Sequence, residues 1–115
     1  MKRIFMLLAC SVLLLSATAF AGETGSGVPV IIDVRTEAEW QTGHLEGAQL
    51  IPHEQIGDKI SAVTGDKKSK IYLYCRTGRR SGLAYDTLQK LGYGNMENAG
   101  TMESAAAALG KRIVK

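Results

Sequence analysis

The sequence predicts an α/β fold, a small central parallel sheet of four to five strands with helices on both faces. Three observations carry this. Two runs, Val28-Pro-Val-Ile-Ile-Asp-Val34 and Ile71-Tyr-Leu-Tyr74, are apolar with little alternation, the pattern of strands buried on both faces. Other segments repeat apolar residues at helical spacing. Strand and helix then alternate along the chain, the order that builds a parallel sheet through right-handed crossovers. Sites in such sheets gather at the carboxyl ends of strands.

The chain has 115 residues, enough for one domain. Its start reads as a secretory signal peptide over 1–21. Met1-Lys2-Arg3 is a basic lead, Ile4 to Leu15 is apolar, and Ala19-Phe20-Ala21 is an A-x-A cleavage site, with the cut predicted after Ala21. A retained membrane anchor is the minor alternative, because the apolar run is short for a span. Cys10 after Leu-Leu-Ala only faintly resembles a lipoprotein box, since it lies early and the apolar run continues past it. Residues 22–27 are a flexible lead-in, and 28–115 form the single predicted domain. Without Lys2 and Arg3, 12 of the 14 basic residues stand against 11 acidic ones, a net charge of +1. No basic stripe runs along any element, so a nucleic-acid partner is not expected. No stable membrane insertion is expected after cleavage, and a monomer is favoured. Removing the leader also removes Cys10. Cys75 then stands alone in an exported protein, where it is either a liability or a working group.

The elements follow in order. Val28 to Val34 is the first strand. Thr36-Glu-Ala-Glu39 is a capping box, predicting a short helix from Thr36 that carries Trp40 inward. Gly43 to Gly47 is a turn, and Gln49-Leu-Ile51 a short strand stopped by Pro52. Ile56, Ile60 and Val63 share one face of a helix. Gly65 to Ser69 is a polar turn before the strand Ile71–Tyr74. Ala84, Leu88 and Leu91 mark the next helix, with Gly92 as its stop. Asn95-Met-Glu-Asn98 is a last short strand, and Met102, Ala106 and Leu109 mark a final Ala-rich helix.

The chemistry concentrates in Cys75-Arg-Thr-Gly-Arg-Arg80-Ser81, which joins a strand to a helix. A loop curling into a helix N-terminus points several backbone N–H groups at one spot. Gly78 permits the backbone angles such a cradle needs. The helix dipole and Arg76, Arg79 and Arg80 favour an anion at its centre, which stabilises a Cys75 thiolate and offers a dock for an oxyanion. The plain alternative is a buried core cysteine at a strand end, followed by a solvated basic turn.

Cys75-x-x-Gly78-x-Arg80-Ser81 resembles the active-site loop of the rhodanese (sulfurtransferase) domain family. A second stretch, residues 31–52, is similar to that family's first signature. It carries Asp33-Val34-Arg35, Glu39-Trp40, Gly43-His44-Leu45-Glu46-Gly47-Ala48 and Ile51-Pro52 in order. The resemblance covers roughly Val30 to Gly100. It implies a periplasmic thiosulfate sulfurtransferase that works by double displacement. The Cys75 thiolate takes the outer sulfur of thiosulfate, and a thiophilic acceptor such as cyanide or a thiol removes it. No metal or organic cofactor is implied. Arg76 and Arg79 are expected to attract the sulfonate end, with the loop 76–81, including Thr77, Gly78 and Ser81, binding substrate. Arg80 is expected to be structural, paired with Asp33. The sequence departs from the family at Leu50, usually Asn, and at Asn98-Ala-Gly-Thr101, which has one glycine fewer and lacks the usual Trp. Thr77 stands where larger tandem sulfurtransferases can carry Lys.

The rival enzyme reading is a cysteine phosphatase or arsenate reductase, whose loop needs an arginine six positions after the cysteine. That position is Ser81 here. A non-catalytic binding or sulfur-carrier module is the alternative of a different class. A redox role lacks a C-x-x-C motif. Asp33 and Arg35 are expected to support the site through an ion pair or loop hydrogen bonds, and Glu39 to cap its helix, with Arg35 as a further partner. His44 is expected to stabilise its turn and His53 to be a solvated cap. Tyr72 and Tyr74 are expected to pack. Neither histidine has a partner at metal-ligand spacing, so no metal is predicted.

Overall fold

The computed structural model describes residues 28–115. The leader, its cleavage site, Cys10 and the 22–27 lead-in lie outside the described residues. Strand β1 (Val30–Asp33) is followed by α1 (Glu37–Gln41), β2 (His44–Leu45), β3 (Gln49–Leu50), a short 3-10 turn at His53–Gln55 and α2 (Ile56–Val63). Then come β4 (Ile71–Cys75), α3 (Arg79–Lys90), β5 (Met96–Thr101), α4 (Met102–Leu109) and β6 (Ile113–Val114). Four strands form one sheet in the order β3-β1-β4-β5, all parallel. The central pair, β1 and β4, are the two apolar runs of the sequence. Each needs cover on both faces, and each receives it.

On one face Ile32, Val34, Ile71, Leu73 and Cys75 pack with Ile56 and Ile60 of α2, with Ala84 and Leu88 of α3, and with Tyr93. On the other, Ile31 and Tyr74 pack with Leu45 and with Ala105 of α4. The alternation of Leu73 and Tyr74 between the two clusters is the period of two of a strand. With helices on both faces, the sheet has the predicted architecture.

Several expectations differ from the structure. Leu91, placed inward by spacing, is 42% exposed. Its backbone N–H reaches both Leu88 O and Thr87 O, so the last turn of α3 tightens toward 3-10 geometry and swings Leu91 off the buried face. Tyr93 fills the space instead, with its hydroxyl donating to Thr64 O at 2.7 Å. Trp40 is not core. Helix α1 is five residues long and buries none of them, and the indole lies flat on the His44 ring, 3.5 Å between centroids. A second, two-stranded antiparallel sheet pairs β2 with β6. Strand β2 falls within the segment 43–47 expected to be a plain turn, and β6 lies beyond the last predicted helix. The last parallel strand runs on to Thr101, three residues beyond the predicted Asn98. Thr101 then caps α4, accepting a hydrogen bond from Ser104 N.

No helix among the described residues is long and apolar enough to cross a membrane.

Candidate active site

Strand β4 delivers Cys75 as its last residue, fully buried, at the carboxyl end of the sheet. Three residues later Gly78 sits at φ +95, and α3 begins at Arg79. This left-handed Gly78 reverses the chain tightly enough for its own N–H to donate to Cys75 Sγ at 3.0 Å. A side chain there would be strained, and its Cβ would abut Gly100 Cα at 3.5 Å. Ser81 Oγ lies 3.6 Å from Sγ, inside the first turn of α3. Burial pushes the Cys75 thiol up. The Ser81 hydroxyl and the backbone N–H groups of Ser81, Thr77 and Gly78 outweigh it, so the thiol sits below its ordinary value.

The first turn of α3 carries two arginines and no acidic residue. That is the wrong sign for a helix N-terminus, whose dipole favours anions. The local rule is broken where an anion is to be held.

The three arginines divide by partner. Arg80 is held by Glu39 in a fork, Nη1 to Oε1 at 2.9 Å and Nη2 to Oε2 at 3.0 Å. The expected Arg80–Asp33 pair does not form, because Asp33 is saturated by Arg35. Arg35 donates to it from its backbone N at 2.9 Å, from Nε at 2.9 and 3.1 Å and from Nη2 at 2.7 Å. Nor does Glu39 pair with Arg35. Glu39 closes the capping box of α1 with Thr36 and grips Arg80. The Arg80 hydrogen bonds hold its carboxyl far below the usual range, against a smaller opposing push from burial, with Thr36 adding to the drop. Arg76 is 73% exposed, 3.6 Å from Glu39. Arg79 is exposed, with no ion-pair partner among the described residues. A cleft of about 280 Å³ opens beside the loop, lined by Arg35, Glu39, Thr42, Arg76, Met102 and Glu103. Arg76 lines it and Arg79 does not.

Asp33 and Arg35 form a buried pair with each other rather than contacts to the loop. Arg35 Nη2 also donates to Gly43 O at 2.6 Å, which pins the Gly43-His44 turn to the end of β1. The hydrogen bond to Asp33 raises the Arg35 pKa against the cost of burial. His44 Nδ1 meets Trp40 O at 3.0 Å and so braces the turn. His53 is a partly exposed residue beside Glu54. Tyr74 packs fully buried and its hydroxyl accepts from Leu45 N at 3.0 Å. Tyr72 is half-buried with Lys70 5.0 Å above its ring. Among the described residues no three of His, Cys, Asp and Glu gather as a metal site.

Two contributors were not assigned from sequence. Glu39 anchors two arginines of a loop that begins 36 residues later, and the signal was three arginines in need of a carboxylate. Asn98, on β5, clamps the loop from the side. Its Nδ2 donates to Gly78 O at 3.1 Å, and its Oδ1 lies 2.6 Å from Ser81 Oγ. A bulge at Ala99, between Asn98 opposite Leu73 and Gly100 opposite Tyr74, sets this approach.

The geometry has counterparts. Residues 16–103 match the family described as Rhodanese-like domain. The "Thiosulfate sulfurtransferase PspE" of Escherichia coli (strain K12) is 37% identical over 75 residues, 65% of this chain and 72% of that protein. The "Uncharacterized protein YqhL" of Bacillus subtilis (strain 168) is 42% identical over 62 residues, 54% of this chain and 48% of that one. A solved structure described as "rhodanese with anions from E. coli" superposes with a TM-score of 0.71 at 34% identity, over 76% of this chain and 99% of that one. A cysteine closing a parallel strand, a left-handed glycine turning the chain back onto its sulfur, and a family match over most of the length agree: the chain belongs to the rhodanese-like sulfurtransferase domain family.

Proposed function

We propose that the protein is a periplasmic thiosulfate sulfurtransferase working through a Cys75 persulfide. The observation that carries this is the Gly78 N–H aimed at Cys75 Sγ, in a loop whose donors lower the thiol pKa despite full burial. Sulfur is polarisable and intrinsically nucleophilic, which suits attack on another sulfur. The Cys75 thiolate attacks the outer sulfur of thiosulfate. An Sγ–S bond forms, the S–S bond of thiosulfate breaks, and its electron pair leaves with sulfite. The persulfide keeps its negative charge beside the loop N–H groups and the α3 N-terminus. An acceptor such as cyanide then attacks the outer sulfur. The Sγ–S bond breaks, its pair returns to Cys75 as thiolate, and thiocyanate departs.

Arg76 draws the sulfonate end into the cleft it lines, with Arg79 adding long-range attraction. Thr77, Gly78 and Ser81 form the wall of the cradle. Arg80 holds the loop to α1 through Glu39. The Asp33–Arg35 pair supports the sheet end, and Arg35 forms part of the cleft wall. Export follows from the leader over 1–21.

The loop does not suit phosphoryl transfer. The sixth position after the cysteine is Ser81, facing inward, and the arginine before it is already engaged by Glu39.

Mass spectrometry after incubation with thiosulfate tests the reading. The expected result is a gain of one sulfur on Cys75, lost on adding cyanide. A free Cys75 thiol that takes up no sulfur would overturn the enzyme reading in favour of a binding module, and full activity in a Cys75→Ser protein would overturn the mechanism.

A further inference from the structure

The Ser81 hydroxyl has one proton and three acceptors within reach. Gly78 O lies 3.1 Å away, Asn98 Oδ1 2.6 Å, and Cys75 Sγ 3.6 Å. Hydrogen-bond accounting decides among them. Gly78 O already accepts from Gly82 N at 3.0 Å and from Asn98 Nδ2 at 3.1 Å, which occupies both lone pairs. Gly100 N donates to Asn98 Oδ1 at 3.0 Å. A backbone N–H can only donate, so this bond fixes which end of the Asn98 amide is oxygen. That oxygen cannot donate to Ser81, so at 2.6 Å the proton between them belongs to Ser81.

In the resting arrangement Ser81 therefore turns its proton toward Asn98 and a lone pair toward Cys75. A lone pair facing sulfur suits a thiol, whose S–H can donate to it. It does not suit a thiolate. For Ser81 to stabilise the thiolate, its hydroxyl must rotate about Cβ–Oγ and give up the Asn98 contact. Asn98 Oδ1 keeps the Gly100 N–H in either state.

We infer that Asn98 is a positioning residue for Cys75, competing with the cysteine sulfur for the single Ser81 proton and so setting how readily the thiolate forms. Ser81 keeps its own proton and only turns it, while the proton lost from the Cys75 S–H on ionisation passes to solvent. The competition restrains thiolate stabilisation, and restraint has a use. A thiolate held less tightly is a better nucleophile, because nucleophilicity falls as the thiol pKa falls.

The inference rests on Cys75 being the nucleophile and on nothing about the sulfur donor. The charged groups at this end of the sheet are Arg76, Arg79 and Arg80 from the loop and α3, Glu39 from α1, the Asp33–Arg35 pair from β1 and Glu103 from α4. None is altered in the test.

The test is the Cys75 pKa, read from the ultraviolet absorbance of the thiolate against pH, as the difference from a Cys75→Ala protein. Releasing the Ser81 proton in Asn98→Ala lowers that pKa by about one unit, the size of a single hydrogen bond. Ser81→Ala raises it. In the Ser81→Ala background, Asn98→Ala produces no further drop. A merely structural clamp predicts the opposite sign, because loosening Gly78 takes donors away from sulfur. An unchanged or raised pKa in Asn98→Ala, or an equal drop without Ser81, overturns the inference. Should the alanine variant not fold, Asn98→Leu, equally unable to accept the proton, must show the same drop. The readout needs no sulfur transfer. A protein that shows these shifts but takes no sulfur from thiosulfate refutes the proposed function and leaves this inference standing.

Discussion

Glu39 and Arg80 are joined by a two-pronged ion pair, 2.9 and 3.0 Å, across 41 residues of sequence. Both side chains are 20% exposed. The pair fastens the start of α3 to the middle of α1, and through α3 it fixes the loop that follows Cys75.

Glu39→Gln is expected to lower stability at neutral pH by about 2 kcal/mol, since it leaves Arg80 partly buried with a weaker partner. The folded pKa of Glu39 is depressed. Its contribution is therefore fully present above the unfolded value of about 4.3 and lost as pH falls below it toward the lower folded value. Denaturant titrations of both proteins at neutral pH and at about pH 3 check this. The gap between them must narrow in acid.

Arg76 and Arg80 are expected to fail differently. Arg76→Gln raises the thiosulfate KM about tenfold with kcat little changed, as for one lost charge-assisted contact. Arg79→Gln raises it by a smaller factor, about two- to threefold, because its charge acts only at long range. Arg80→Gln lowers the melting temperature more than either. Steady-state kinetics and thermal melts on the three variants decide the order. A larger KM effect at Arg79 than at Arg76 would place the sulfonate outside the cleft.

The lowered Cys75 pKa predicts a pH profile. Persulfide formation is flat on the alkaline side and falls as pH drops through the folded value, at a midpoint below the ordinary thiol value of about 8.5. Between the folded and unfolded values the unfolded chain binds more protons, so stability rises with pH there. Cys75→Ala removes that slope, and melts of the two proteins at successive pH values below about 8.5 measure it.

A side chain at Gly100 would be strained. It sits at φ +83, and a Cβ would lie 2.9 Å from Ser104 Oγ. Gly100→Ala is expected to cost more than about 1 kcal/mol. Adding Ser104→Ala removes the collision but not the backbone strain, so the double variant recovers part of the loss. Full recovery would show that the backbone conformation carries no cost.

What the sequence made legible was local or strongly patterned. The apolar runs located β1 and β4, the Thr36–Glu39 capping box fixed the start of α1, and Cys75 with Gly78 marked the turn into α3. What it hid depends on contacts far apart in the chain. The β2–β6 pairing involves two residues a side, too few for any pattern. The partner of Arg80 could not be told from spacing, because Asp33 and Glu39 both looked available and only the fold shows Asp33 filled by Arg35. Asn98 reads as an ordinary polar residue at a strand end until the Ala99 bulge turns it toward Ser81. Trp40 and Leu91 read as core in the sequence because they are apolar on helices. One helix is too short to have a buried face, and the other tightens at its last turn.

The order of the chain gives the clamp a consequence during folding. Cys75 and its loop leave the ribosome before Asn98, which follows Ser81 by 17 residues. A parallel sheet cannot add its outer strand by a hairpin, so β5 joins only after α3 has crossed over and packed. Until the edge strand is in place the loop lacks its brace from the side, and the single Ser81 proton gains its second claimant only when the sheet is complete.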